Sequence, residues 1–308
     1  MITRRRFLQL LVTLGVAGST VPAYGFGIEP LRDPAITPYR LRPPGWPGDL
    51  RLKIAVLADL HACRPWMDPD RIAGLVARTN SLGADLVLLL GDYETGHRFV
   101  TAYLRPEEWA GPLGKLRAPL GVHAVLGNHD WWQDPDIRCT GHGVPRAQRA
   151  LEAAGIAVHH NTAVRIETDG PGGGFWLAGL GDQLAYAGVR HLRRNLRTGA
   201  DDLPGTMAQI ADDGAPVILM AHEPDIVMKV PERVSLVLCG HTHGGQVRLF
   251  GWSPVVPSRY GNRFAYGHVT APRDMVVSGG LGCSTVPFRL GMPPEIVLIE
   301  LGDDPPGA

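Results

Sequence analysis

Apolar residues cluster first between positions 7 and 21, in a stretch broken by Gln9, Thr13, Gly15 and Gly18. Residues 26–50 are Pro-rich and without a regular pattern, and are expected to be an irregular segment laid over the surface. Regular patterning begins at 52–58 (Leu-Lys-Ile-Ala-Val-Leu-Ala), which predicts a strand. A helix is predicted over 69–82, where Ile72, Leu75 and Val76 share one face. The run 85–90 is almost continuously apolar, as in strands buried on both sides. A helix over 106–116, a strand over 122–126 and a helix over 145–154 follow. Later runs predict strands at 163–168, 175–180, 216–221, 234–239, 246–250, 274–278 and 295–301, with a helix at about 203–212. Strand and helix alternate in the first half, which argues for parallel βαβ units, and the last third is mainly strands. One α/β domain with two sheets flanked by helices, spanning 51–302, accommodates this better than two domains.

Composition changes that picture in three places. The 308 residues are 44% apolar and 19% charged, an ordinary globular balance with enough apolar mass for a sizeable core. Formal net charge is zero, so nothing marks nucleic acid as a partner, and none is expected. Residues 1–25 stand apart: Arg4-Arg5-Arg6-Phe7-Leu8, a short apolar core and small residues near Ala23 read as a secretory signal of the twin-arginine kind. The other readings of this segment are a cytosolic tail or a retained anchor. Cleavage near Ala23 is preferred to retention, and removes three arginines and no acid, leaving −3. Export places the protein in the periplasm or cell envelope, with membrane association as a further expectation. Four cysteines (Cys63, Cys139, Cys239, Cys283) form no C-x-x-C pair and indicate no thiolate metal site. Cys63 and Cys139 each follow a motif described next, which would bring them close enough for a disulfide. Four plain thiols is the alternative.

Five polar signals occupy one structural place, the loop after a strand. They are Asp59-Leu60-His61, Gly91-Asp92, Gly127-Asn128-His129-Asp130, His222-Glu223-Pro224-Asp225 and Gly240-His241-Thr242-His243-Gly244-Gly245. In an extended segment residues two apart point the same way, so Asp59 and His61 are expected to grip one ion. Strand ends on one edge of an α/β sheet converge on a shared crevice. The donors gathered there, Asp59, His61, Asp92, Asn128, His222, His241 and His243, are hard oxygens and imidazoles suited to Mn, Fe or Zn. Seven are too many for one ion with an open position and suit two ions sharing a carboxylate. The histidines outside these motifs, His97, His123, His142, His159, His160, His191 and His268, read as surface or core. Arg259 and Arg263 are candidates for anion binding, and Trp131-Trp132 for the floor of an apolar substrate pocket.

These five motifs together resemble the calcineurin-like metallophosphoesterases, over about residues 51–301. His-Glu-Pro-Asp, Gly-Gly-Gln-Val and Pro257-Ser258-Arg259-Tyr260-Gly261 resemble one branch, the twin-arginine-exported bacterial phosphodiesterases of the YkuE and YaeI type. The resemblance implies a four-layer α/β/β/α sandwich with two mixed sheets. It implies one metal on Asp59, His61, Asp92 and His243, and another on Asp92, Asn128, His222 and His241. Attack by a metal-bridging hydroxide on a phosphate mono- or diester is implied too. His129 would protonate the leaving oxygen or stabilise its charge, and Asp130 would orient His129. Tyr93-Glu94 depart from the apolar and small residues that follow Gly-Asp in relatives, which touches the pocket beside Asp92. The substrate is expected to be a phosphate ester, lipid-linked in one version. The alternatives are a pyrophosphate hydrolase on a nucleotide-sugar lipid such as UDP-diacylglucosamine, and a non-catalytic envelope-binding protein on the same fold.

Overall fold

A computed structural model describes residues 20–169, 173–187 and 199–302. Within them the alternation along each apolar strand sorts side chains into separate cores. Ile54, Val56, Leu86, Leu88 and Leu90 enter one core, whereas Ala55, Leu57, Val87 and Leu89 enter another. Successive strand residues face opposite sides of a sheet, so a run apolar at every position must be covered on both.

Fourteen strands, numbered along the chain, build two six-stranded sheets and one short ribbon among the described residues. The first sheet runs β1 (Ala35–Leu41), β14 (Glu295–Leu301), β2 (Leu52–Leu57), β4 (Leu86–Leu90), β6 (Val122–Val125) and β7 (Ala157–Val158). The second runs β12 (Gly267–Val269), β13 (Met275–Val277), β11 (Leu236–Cys239), β10 (Val217–Met220), β9 (Gly174–Gly179) and β8 (Thr162–Glu167). Strands β3 (Cys63–Arg64) and β5 (Ala102–Tyr103) pair by themselves. Both large sheets are mixed. β2, β4, β6 and β7 are parallel while β14 meets β2 antiparallel; β9, β10, β11 and β13 are parallel while β8 and β12 pair antiparallel.

The sheets face each other through a core that joins Ile54, Leu88 and Val297 of the first to Phe175, Ile218, Met220 and Leu238 of the second. Helices α1 (Pro69–Ser81), α2 (Pro106–Leu113) and α5 (Arg146–Ala153) cover the other face of the first sheet with Ile72, Leu75, Trp109 and Leu151. Asp68 caps α1 by accepting the Arg71 N–H at 2.9 Å, and Pro69 takes the first helical position, where a missing N–H costs nothing. Short helices α3 (Asn128–Trp132) and α4 (Pro135–Thr140) follow β6, and α6 (Leu203–Met207) follows the second undescribed gap. This is the expected α/β architecture with two mixed sheets.

Several boundaries differ from the sequence-based expectation. The segment 26–50 is not wholly irregular: residues 35–41 pair with β14 along their whole length. Residues 246–250 form no strand of a sheet, only the isolated bridges Val247–Leu290 and Leu249–Trp252. The helix expected over 203–212 stops at Met207, and that expected over 106–116 at Leu113, just after Pro112. The four cysteines are free thiols, with Cys63 buried and Cys139 exposed, so the pairing entertained for them is not made. Residues 1–19, which hold Arg4, Arg5 and most of the apolar run, lie outside the described residues, as does His191. Among the described residues no helix is long and apolar enough to cross a membrane.

Candidate metal centre

The seven expected donors sit just past strand ends, four on three loops of the first sheet and three on two loops of the second. Asp59 follows β2, Asp92 follows β4 and Asn128 follows β6; His222 follows β10, and His241 and His243 follow β11. Their backbone is not extended. Asp59 (φ 55°), His61 (46°), Asp92 (57°), His241 (71°) and His243 (52°) all occupy the left-handed region that non-glycine residues rarely adopt. Asp59 and His61 therefore reach the same point through tight turns, not through strand alternation. Clustered strain of this kind is characteristic of functional sites. Hydrogen bonds hold it: the Asp59 N–H donates to Gly91 O (3.0 Å) and the His61 N–H to Asp92 O (2.9 Å), zipping the first loop to the second. Gly127 has no room for a side chain, since a Cβ there would lie 2.7 Å from His222 Cε1 and closer still to Asp92.

The side chains form two groups that meet at Asp92. In one, His61 Nε2 lies 3.0 Å from His243 Nε2 and 3.5 Å from Asp92 Oδ2, and His243 Nε2 lies 3.4 Å from Asp59 Oδ1. In the other, His222 Nε2 lies 3.2 Å from Asp92 Oδ2, and His241 Nδ1 lies 2.9 Å from Asn128 Oδ1. His61 uses Nδ1 to donate to Glu94 O (3.1 Å) and His222 to donate to Leu90 O (2.6 Å). That leaves the lone pair of each on Nε2, facing the Asp92 carboxylate. Asp59, His61, Asp92, Asn128, His222 and His243 are all buried and His241 half-buried.

Burial sets the electrostatics. It pushes His61 down to about 3 and His241 down to about 4, and with His61 and Arg289 nearby it holds His243 well below the usual range. It pushes Asp59 up to about 7, with Asp92 adding to the rise and His222 opposing it. Burial would also raise Asp92, but His222, His129 and His61 outweigh it and keep that carboxyl well below its ordinary value. Burial would lower His222 too, but Asp92 and Asp59 outweigh it and hold that imidazole well above its ordinary value, so a proton on His222 offsets part of the charge that a cation among these donors, 3.0–3.5 Å apart, would offset. The donor set fits two divalent ions sharing Asp92, of the hard-to-borderline kind expected.

His129 borders this centre, with a ring nitrogen within 4.8 Å of the ligand atoms of His61 and Asp92. Its backbone N–H donates to Asp92 Oδ1 (2.8 Å), its ring packs edge-on against His61 (4.9 Å) and beside Trp132 (5.2 Å), and Nε2 meets Ser284 Oγ at 3.3 Å. Burial and the neighbouring His222 lower its pKa, with Asp92 opposing. The ring lines a cavity of about 850 Å³ together with Asp92, Asn128, His241 and His243. Much of the remaining wall is apolar: Phe99, Trp132, Val247, Val255, Val286 and Phe288.

Asp130 and Trp131 do not take the roles expected of them, and Arg259 and Arg263 lie away from the cavity. Asp130 does not hold His129. Its carboxylate accepts four backbone N–H groups instead, from Asp92 (3.0 Å), Tyr93 (2.9 Å), Glu94 (3.1 Å) and Gly127 (2.9 Å). Trp131 is buried in the helix-side core against His160 and Tyr186, and Trp132 takes the place at the cavity. Arg259 is exposed and lines no part of the cavity, and Arg263 donates to Ala271 O (3.3 Å) over the Phe264 ring. Other residues emerge that no motif marked. His97 and Arg98 line the cavity. Arg289, fully buried, donates to the carbonyls of Gly279 (3.0 Å), Met292 (2.9 Å) and Gly282 and reaches His243 Nδ1 at 3.3 Å. A lone Arg in Phe-Arg-Leu-Gly carries no sequence signal of this. Tyr93 donates to Val125 O (3.0 Å) and stacks on Trp109, while Glu94 pairs with Arg146; both departures from the family pattern point into the packing, and only Glu94 O touches the centre. A further group, Asp182, His222 and Glu223, shares His222 with the centre.

Residues 52–245 match the sequence model of the family described as calcineurin-like phosphoesterase. The chain is 32% identical to a phosphodiesterase, YaeI, of Escherichia coli, over 98% of this chain and all of that protein. It is 26% identical to the metallophosphoesterase YkuE of Bacillus subtilis, over 97% of this chain and 98% of that one. It is also 28% identical to a bovine transmembrane protein with a metallophosphoesterase domain, over 97% of this chain and 64% of the other.

Proposed function

The chain belongs to the calcineurin-like phosphoesterases, metal-dependent hydrolases of phosphate esters, and from that premise we propose an exported phosphodiesterase acting on esters that carry an apolar group. One observation supports it above the others: His61 (3.5 Å) and His222 (3.2 Å) meet at Asp92, at the end of a cavity of about 850 Å³ whose wall is largely apolar. Asp59, His61, Asp92 and His243 would hold one ion, and Asp92, Asn128, His222 and His241 the other. Bound ions supply Lewis acidity, lowering the pKa of a water and offsetting charge on the phosphoryl group. The chain supplies the rest. His129, wedged between His61 and Trp132, presents Nε2 to the cavity as hydrogen-bond donor to the leaving oxygen. Burial favours the neutral ring, and an anionic phosphate beside it would raise its pKa back toward the neutral range. Arg98 at the cavity suits a second anionic group better than Arg259 or Arg263. The name of the Escherichia coli relative supports a diester over a monoester. The apolar wall also favours a second reading, a pyrophosphate on a nucleotide-sugar lipid. A non-catalytic role is set aside, because every donor of the centre is present.

Metal analysis and turnover test this together. The Mn- or Zn-loaded protein should hold close to two ions per chain and hydrolyse bis(p-nitrophenyl) phosphate faster than p-nitrophenyl phosphate or a pyrophosphate. A ceiling of one ion, or preference for the pyrophosphate, overturns the reading. His129→Ala should keep its metals and lose about 10²- to 10⁴-fold in turnover, more for alkyl than for nitrophenyl leaving groups. Metal loss in that variant would make His129 a ligand.

A further inference from the structure

The loop after the last donor motif exposes apolar side chains that nothing in the centre requires. Phe250 is fully exposed (108%), and Leu249 (48%), Trp252 (59%) and Val255 (73%) are open to solvent around it. Reciprocal backbone hydrogen bonds between Leu249 and Trp252 (2.9 and 3.0 Å) close a two-residue turn, with Phe250 at φ 52° and Gly251 at φ 81°. Such turns favour Asn or Asp at the first position, and a bulky residue there is strained. The ring is thus held outward at both a conformational and a solvation cost. A contiguous exposed apolar patch marks an interaction surface.

Three observations identify what covers it. First, residues 248–263 contain no Asp or Glu, and of their three arginines Arg259 and Arg263 are exposed while Arg248 packs over the Tyr266 ring. The acid packed against this loop, Asp225, is engaged by Ser258 Oγ (2.5 Å) and the Arg259 N–H (2.9 Å). Aromatic side chains interleaved with arginines are the composition of segments that lie in the headgroup layer of anionic bilayers. Second, the patch is continuous with the cavity. Val255 lines it, as do exposed Phe99 and Arg98. Third, the N-terminal side of the chain joins the same rim. The Gly25 carbonyl accepts the Arg289 N–H (2.9 Å), and the Phe26 ring packs 4.8 Å from Phe288, which lines the cavity. Phe26 (41%), Ile28 (54%) and Leu31 (45%) are exposed there, and the apolar run of residues 7–21 precedes them in the sequence. Cleavage near Ala23 would leave all three in place.

We propose that this face docks on an anionic phospholipid bilayer, with Phe250 and Trp252 in the headgroup–acyl boundary and the cavity mouth opening onto the lipid. Docking stands independently of catalysis; only delivery of a lipid-borne ester to the centre rests on the phosphoesterase reading. The test is co-sedimentation of the purified protein with vesicles of phosphatidylcholine alone and of phosphatidylcholine mixed with phosphatidylglycerol. The same is done with Phe250→Ser/Trp252→Ser, which shares the N-terminus and so isolates the hairpin. The wild-type chain should bind the mixed vesicles and bind phosphatidylcholine alone weakly, and the variant should partition about tenfold less. Hydrolysis of bis(p-nitrophenyl) phosphate should be unchanged, because neither residue lines the cavity. Equal partitioning of variant and wild type, equal binding to both vesicles, or a lipid-independent dimer that the variant abolishes would overturn the proposal. Vesicle binding without any phosphodiesterase activity would support docking and overturn the proposed function instead.

Discussion

Asp130 illustrates how a single side chain can be read correctly as important and wrongly as to role. An acid one residue after His129 suggests an imidazole partner, yet both of its oxygens are used on the backbone of the loops that carry Asp92 and Asn128. It is a positioning residue, and it keeps Asp92 in its left-handed conformation by bonding the N–H groups of residues 92–94. Burial and the Asp92 carboxylate push its own carboxyl well up, against the pull of the Gly127 and Glu94 N–H groups. Asp130→Asn replaces one of the two accepting oxygens with a donor facing two backbone donors, and each unsatisfied buried group costs about 1–3 kcal/mol. The variant should lose about 2–4 kcal/mol in denaturant unfolding and bind metal poorly at the same time. Unchanged stability and metal content, with only the leaving-group pattern of His129→Ala, would restore the orienting role.

At the scale of elements, two connections depend on features with little sequence signal. Strand β1 contains Pro38 opposite Leu298 and is half exposed; an edge strand tolerates proline because one side needs no N–H. The junction of β6 with the loop between β7 and β8 depends on two neutral imidazoles. His123 Nε2 donates to Leu120 O (3.0 Å), which leaves Nδ1 to accept from His159 Nε2 (2.9 Å), and His159 Nδ1 accepts from Thr162 Oγ1 (3.3 Å). Burial, helped by His123, pushes His159 down to about 4 from an ordinary 6.5. A depressed histidine favours the unfolded chain as protons are taken up. Its contribution is complete above pH 6.5 and is lost as pH falls toward 4, by at most about 1.4 kcal/mol per pH unit. Denaturant midpoints at pH 7 and pH 5 should therefore differ, and His159→Gln, neutral throughout, should show a shallower difference. Equal slopes would place the acid sensitivity elsewhere.

On the scale of the whole molecule, the centre draws Asp59, Asp92 and Asn128 from the first sheet and His222, His241 and His243 from the second. Neither sheet alone assembles it, so the ions can be held only after the inter-sheet core has formed. That order of events suits the twin-arginine route proposed for residues 1–25, by which a protein crosses the membrane already folded. Replacing Arg4 and Arg5 with Lys should leave the protein in the cytoplasm, as fractionation would show. Normal export of that variant would remove the twin-arginine route and leave the phosphoesterase reading intact.

What the sequence determined by itself was local. Continuous apolar runs identify strands covered on both faces, and the five motifs at their ends point to the residues that the fold gathers at one place, because residue type and short spacing carry that information directly. The tertiary structure decided what depends on groups that every residue possesses or on segments far apart in the chain. Backbone N–H and C=O groups leave no mark in a sequence, so the four partners of Asp130 and the carbonyls that bury Arg289 could not be read from it. The cavity wall is assembled from Phe99, Trp132, Val255 and Phe288, residues from four separate segments that only the packing of the two sheets brings together. The left-handed turns at Asp59, His61 and Asp92 are likewise a tertiary outcome, since their strain is tolerated only where surrounding hydrogen bonds fix the loops.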